Sequence, residues 1–320
     1  MSFKKMTLKT YPLLLFFAVE FIMSSCANKA GDKGSSSIGD STEYQETPDN
    51  KKNIVLPKKT FGVFDNEGGQ DSSPSSSSTE KSKVILKQHT SAIEIPVMLK
   101  NVPNFILKRY AYTMSYNKST RCPNWVAWKL TGNHTYGSYK RKNYNFHEDM
   151  DVPSPRAKLH DYSYNGLGLE RGHMCPAGDN KWSDRAMDEC HLLSNICPQY
   201  GKLNGGAWKY LEEDCRDWAE AYNCIYIVCG PIFYGKTHGT TIGEDKIAVP
   251  DAFFKVILRL GNKPQALGFI YPNRKCSGGK SKYVMSVDKV EEIVGMDFFS
   301  SLDDNVENKV EQSSNLNLWR

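Results

Sequence analysis

Between Leu203 and Tyr222 the apolar residues Trp208, Leu211, Cys215, Trp218 and Tyr222 recur at spacings of three and four. That period turns one stripe of an α-helix inward and predicts a helix over 203–222. Asn204 stands at its start in Leu203-Asn204-Gly205-Gly206, where an N-cap belongs. Ile225 to Cys229 is apolar at every position, as a strand covered on both faces must be, and Gly230-Pro231 ends it. Tyr110 to Tyr116 alternates and predicts a strand; Trp125 to Leu130 predicts a second, and Phe253 to Leu260 and Ala266 to Tyr271 two more. Near the C-terminus Ser286 precedes Val287 to Val294, and Gly295 follows, the pattern of a capped short helix. Residues 136–156 are polar and loop-like and carry Arg141, Phe146 and Asp149. Strands mixed with a few helices, without βαβ alternation, place the chain in the α+β class.

The pattern fails at both ends. Residues 1–26 open with Lys4, Lys5 and Lys9, continue with an apolar run from Tyr11 to Met23 marred by Glu20, and close on Met23-Ser24-Ser25-Cys26. The run is short for a membrane span and has the layout of a signal peptide. Its end resembles a bacterial lipobox, so Cys26 is expected to carry lipid and to anchor the chain to a membrane. Residues 27–90 are Ser-rich and charged, and predict a disordered tether. The folded domain is expected over 91–303 and a polar, frayed tail over 304–320. The expected location is the bacterial cell envelope, periplasmic or surface-exposed, or else secreted.

At 320 residues the chain has room for one large domain or two small ones. Its hydrophobic fraction of 39% is low for a globular protein, in keeping with an unpacked segment. The net charge is +5; Lys4, Lys5 and Lys9 against Glu20 leave +2 in the first 26 residues and +3 elsewhere. That balance permits a polyanionic ligand without requiring one. Nine cysteines less Cys26 leave eight, and an even set in an exported chain suggests several disulfides.

Candidate chemistry gathers between Glu170 and Arg216. Hydrolysis of a phosphodiester needs a base for water, a counter-charge for the phosphoryl oxygens and a stabilised leaving oxygen. His173, with an ordinary pKa of about 6.5, is the natural base. Asn204 offers a neutral oxygen to a hard cation such as Mg2+, or Mn2+, which keeps several waters and needs few protein ligands. Glu212 and Arg216 lie one helical turn apart. Each has a plainer reading when taken singly: a structural histidine, a helix cap, and an i,i+4 surface pair worth a few tenths of a kcal/mol. His173-x-Cys175 with Cys190-His191 would also supply zinc ligands, at a spacing foreign to zinc fingers.

Three segments taken together outweigh the plain readings. They are Glu170-Arg171-Gly172-His173, then Ser194-Asn195-Ile196-Cys197-Pro198-Gln199, then Asn204-Gly205-Gly206-Ala207-Trp208-Lys209-Tyr210-Leu211-Glu212. In order and spacing they resemble the hallmarks of the DNA/RNA non-specific endonuclease family, which includes Serratia nuclease. The likeness extends from about Tyr110 to Phe299. It implies a ββα-metal active site on a mainly antiparallel central sheet flanked by helices. It further implies an Mg2+-dependent endonuclease acting on DNA and RNA. In it His173 would be the general base and Asn204 the one direct protein ligand of the metal. Asn195 would orient the site by hydrogen bonds, Glu212 would hold water on the cation, and Arg141, Arg171 and Arg216 would bind phosphate. The family's first hallmark residue is Asp, and here Glu170 keeps the carboxylate on a longer arm. The alternative is a non-catalytic surface lipoprotein that binds nucleic acid with the same fold. Nothing in the sequence fixes an oligomeric state.

Overall fold

A computed structural model describes residues 92–163, 166–235 and 239–319. The expected signal segment and tether lie outside these residues. Thirteen strands and four α-helices are described: β1 (Val97–Met98), β2 (Phe105–Lys108), β3 (Thr113–Asn117), β4 (Cys122–Thr131), β5 (Leu169–His173), α1 (Asp184–Glu189), β6 (Ile196–Tyr200), α2 (Lys209–Ala221), β7 (Cys224–Ile232), β8 (Thr241–Ile242), β9 (Ile247–Ala248), β10 (Ala252–Arg259), β11 (Gln265–Pro272), β12 (Val284–Met285), α3 (Val287–Val294), β13 (Met296–Asp297) and α4 (Asp304–Glu311).

Seven strands form the central sheet in the order β12-β11-β10-β7-β4-β3-β2. Its pairings are antiparallel throughout. The α+β class and the mainly antiparallel sheet flanked by helices are therefore what is observed. Side chains alternate across the sheet as the pleat requires. Ile225, Ile227 and Cys229 of β7 and Phe253 and Ile257 of β10 face one apolar cluster, which also holds Trp208, Leu211, Cys215 and Trp218. Val228, Phe254, Val256 and Leu258 face the other, with Val287 and Val290 of α3 and Val310 of α4. The centre of the sheet is covered on both faces, which explains why β7 reads as an unbroken apolar run.

The capped helix is where the sequence puts it. Ser286 Oγ accepts from Lys289 N, and Gly295 closes the helix in the left-handed conformation at φ 71°. Two expectations are corrected. The helix predicted from Leu203 begins only at Lys209; residues 203–208 form a widened π-type turn kinked at Gly206, so Asn204 sits inside that turn and does not cap. The stretch expected to be a polar tail holds α4, which is N-capped by Asp303 and buries Val310, and beyond it Trp319 is buried and accepts a hydrogen bond from Trp218 Nε1 at its carbonyl, 2.9 Å away.

The expected disulfides are also corrected: all eight described cysteines are free thiols. Cys122, Cys175, Cys190, Cys197, Cys215 and Cys229 are buried. Several spend their weak S–H on nearby carbonyls: Cys122 on Ala248 O, Cys190 on Met187 O and Cys229 on Met174 O. They behave as small apolar side chains that fill the core.

Candidate active site

The hallmark segments fold into two strands and a helix. β5 and β6 pair antiparallel, with His173 opposite Ile196, Gly172 opposite Cys197 and Glu170 opposite Gln199. The kinked turn and α2 follow β6 directly. Gly172 is obligatory at its position, because a Cβ there would run into the side chain of Gln199.

The loop from His173 to Ile196 is held from inside by Asn195, which is fully buried. Its Oδ1 accepts from Cys175 N at 2.9 Å, and its Nδ2 donates to Cys175 O at 2.9 Å and Cys190 O at 2.8 Å. Asn195 therefore fixes the backbone on either side of the loop. A second set of bonds brings the 141–149 segment against that loop. His147 N donates to His191 O at 3.2 Å, Leu193 N donates to His147 O at 2.9 Å, and Ser194 Oγ donates to Asp149. Asp149 is in turn clamped by Arg109.

This docking assembles the first group of candidate residues. The Phe146 ring lies 5.1 Å from that of His173. The guanidinium of Arg171 lies 4.7 Å from the Phe146 ring, and that of Arg141 lies 5.7 Å from it. His191 meets His173 edge-on at 5.1 Å. Its Nδ1 faces Met187 O at 2.7 Å, a contact that requires a proton on Nδ1 and leaves a lone pair on Nε2. His173 is 8% exposed and its Nε2 has no hydrogen-bond partner. Burial, helped by His191, Arg141 and Arg171, pushes its pKa well below the ordinary histidine value. The imidazole is thus neutral at pH 7, with a nitrogen available to take a proton.

The second group lies under α2. Arg216 Nη1 donates to Asp179 Oδ1 at 3.1 Å, and Trp128 Nε1 donates to Asp179 Oδ2 at 3.1 Å. Gly178 makes room for this pair, since a Cβ there would come within 2.6 Å of Arg216 Nη1. Burial raises the Glu212 carboxyl to about 7, with Asp179 adding to the rise and Lys255 and Arg216 opposing it. Lys255 itself is fully buried, 4.4 Å from the Trp208 ring centroid and 5.4 Å from that of Trp128. Burial alone would lower its pKa; Cys229, Cys215, Glu212 and Asp179 reverse this and hold it above the ordinary value.

The third group joins the turn to β5. Asn204 Nδ2 donates to Glu170 Oε2 at 2.7 Å. With its nitrogen so engaged, the amide presents its carbonyl oxygen elsewhere. Among the described residues no contact joins Asn204 to His173 or to Glu212; the groups are linked through β5 and β6.

Three residues here escaped sequence reasoning. Gln199 was quoted only as part of a motif, yet it is fully buried with both amide atoms unpartnered beside Gly172. Lys255 had a legible signal, a charged residue at an inward position of an otherwise apolar strand. Asp179 had none, being brought in by loop geometry. Of the zinc set considered from sequence three members come together: His173, Cys190 and His191 place ligand atoms within 4.8 Å of one another, without Cys175.

Residues 89–305 match the model of the DNA/RNA non-specific endonuclease family. "Nuclease EXOG, mitochondrial" of Mus musculus is 36% identical over 242 residues, covering 70% of this chain and 66% of its own length. "Nuclease C1" of Cunninghamella echinulata var. echinulata is 37% identical over 214 residues, covering 62% of this chain and 83% of its own. A chain in the crystal structure of the EndoG/EndoGI complex aligns with a TM-score of 0.58 at 27% identity, covering 63% of this chain and 89% of that one. The match to the mouse nuclease and its human counterpart spans 66% and 56% of their lengths.

Proposed function

The chain belongs to the DNA/RNA non-specific endonuclease family, and from that premise we propose that it hydrolyses phosphodiester bonds of DNA and RNA without sequence preference, using His173 as general base and a divalent cation at Asn204. The observation that carries the reading is the unpartnered Nε2 of a neutral, buried His173 set beside Phe146, whose ring two guanidinium groups approach. His173 Nε2 takes the proton of the attacking water. Arg171 and Arg141 engage the non-bridging phosphate oxygens, a task that suits the forked guanidinium. Arg216 is held in place by Asp179 and adds positive charge beneath Glu212.

The residues present fit a hard cation. The Asn204 nitrogen is fixed on Glu170, which orients the carbonyl oxygen as a neutral donor, and the Glu212 carboxyl stands on α2, which follows the turn directly. Carbonyl, carboxylate and water ligands suit Mg2+ or Mn2+. When bound, such a cation neutralises phosphoryl charge and stabilises the leaving oxygen.

Indifference to sequence follows from reading phosphate and sugar alone. A cleft of about 780 Å³ beside the Asn204 turn carries Lys202, Lys275, Lys280 and Tyr210, a lining suited to a polyanion and a stacked base. The direct test is digestion of plasmid DNA and of a structured RNA by the purified protein, with and without chelator. Cutting that the chelator stops supports the reading. Retention of both nucleic acids without cutting favours the non-catalytic binder.

Two further outcomes are expected of this site. Asn204→Ala should weaken metal binding and lose rate at low Mg2+, with partial recovery as Mg2+ is raised; a Mg2+ titration indistinguishable from wild type would remove Asn204 from the site. The acid limb of kcat/KM should fall below the ordinary histidine value, because a depressed pKa keeps His173 unprotonated to lower pH. A limb at or above about pH 6.5 would show that the free enzyme's base is not this histidine.

The proposed location is the bacterial cell envelope, with Cys26 as the lipid attachment point. Cys26→Ala should then move the protein from the membrane to the soluble fraction of lysed cells. Processing and retention like those of the wild type would rule the anchor out.

A further inference from the structure

The sheet face remote from Trp208 and α2 carries a second concentration of charge. There α3 and α4 pack through Val287, Val290 and Val310. Beside that contact, oxygens of Asp288, Glu291 and Glu311 lie within 4.8 Å of one another. Three carboxylates this close repel strongly unless a counter-charge or shared protons relieve them.

Glu311 is only 5% exposed, and its Oε1 has no hydrogen-bond partner. A buried carboxylate oxygen without a donor is costly and calls for an explanation. Glu291 is partly satisfied, accepting from Phe298 N at 2.7 Å. Asp288 is exposed, so the group opens to water on one side. Asp297 and Glu307 add their charge to the same neighbourhood.

We propose that Asp288, Glu291 and Glu311 form a structural site for a Ca2+-like divalent cation that ties α3 to α4. Calcium binds oxygen at about 2.3–2.6 Å, so ligands on opposite sides of one ion stand up to about 5 Å apart. Ligand oxygens gathered within 4.8 Å of one another can reach one such ion. Magnesium demands near-ideal octahedral geometry and is usually held through one or two carboxylates, so a set of three suits calcium better. Asp288 leaves the open side to water, which completes the six to eight oxygens that calcium takes.

Burial, reinforced by the neighbouring carboxylates, raises Glu291 to about 8 and Glu311 to about 10. This site stands apart from the proposed catalytic one and does not depend on that assignment.

The experiment uses the full chain, stripped with chelator and melted with Ca2+ or Mg2+ added. At a Ca2+ concentration about 100-fold above Kd, Tm should rise by about 5–10 °C. Glu311→Gln should abolish the rise while plasmid digestion at saturating Mg2+ stays as in wild type. Asn204→Ala should keep the rise, which separates this site from the catalytic one. The proposal is overturned if Ca2+ leaves the wild-type Tm unchanged. It is equally overturned if the shift survives in Glu311→Gln, or if Mg2+ reproduces it at the same concentration.

Discussion

His173→Ala is expected to lower kcat by about 10²–10⁴-fold, the range for a positioned general base, with the Mg2+ requirement left as it was. The argument is geometric. The Nε2 of His173 is unpartnered, and burial with the neighbouring His191, Arg141 and Arg171 lowers its pKa, so the ring is free to take a proton, as proposed. None of its described contacts touches Asn204. Loss of the imidazole removes packing against Phe146 and His191, so each rate should be accompanied by a melting curve. Recovery of the variant by added metal would mean that His173 serves as a ligand. A wild-type rate would place the chemistry elsewhere in the chain.

The second large effect concerns stability. Asp179→Ala is expected to destabilise the fold by about 3–5 kcal/mol, the usual cost of stranding the partner of a buried ion pair. Asp179 is 3% exposed and accepts from both Arg216 and Trp128. Burial pushes its own carboxyl up, against Arg216, Lys255 and the Trp128 hydrogen bond, which favour its charged form. Without it, Arg216 loses the carboxylate it is hydrogen-bonded to, and Lys255 loses one of its two neighbouring carboxylates, Glu212 being the other. Asp179→Asn retains an acceptor for Trp128 and should lose less. For a chain of this size the Ala variant should melt about 6–15 °C lower. If it melts within a degree of wild type, the pair does not hold this part of the fold together.

Much of the scaffold was legible because periodicity and burial coincide in it. β7 and β10 read as strands from apolar runs, and α3 from its two caps. The segments that failed did so for physical reasons. β5 is Leu-Glu-Arg-Gly-His, a strand whose composition serves a site, so its propensity argues against its structure. α4 has one wholly buried apolar side chain, Val310, and buries Glu307 and Glu311, so its inward face looks polar. The π-type turn at Asn204 was hidden behind a good helical stripe, since Gly205-Gly206 permits a kink that no apolar spacing records. The members of the site that belong to a motif were visible. Asp179 was not, because loop docking alone brings it near.

The order of strands in the central sheet has a kinetic side. β4 pairs directly with β7, yet between Thr131 and Cys224 the chain makes an excursion of roughly 90 residues that contains β5, β6, α2 and nearly every proposed catalytic group. Closing a loop of that length costs about 4 kcal/mol of chain entropy before the β4–β7 ladder returns anything. Refolding should accordingly be slow for a domain of this size, with a rate set by this long-range pairing. If the excursion docks after the sheet has formed, substitutions such as Asp179→Ala should act mainly by speeding unfolding, with little change in the folding rate. The proposed site would then be the last region to form and the first to open, and its lifetime would be governed by the unfolding rate of the excursion rather than by the stability of the sheet that carries it.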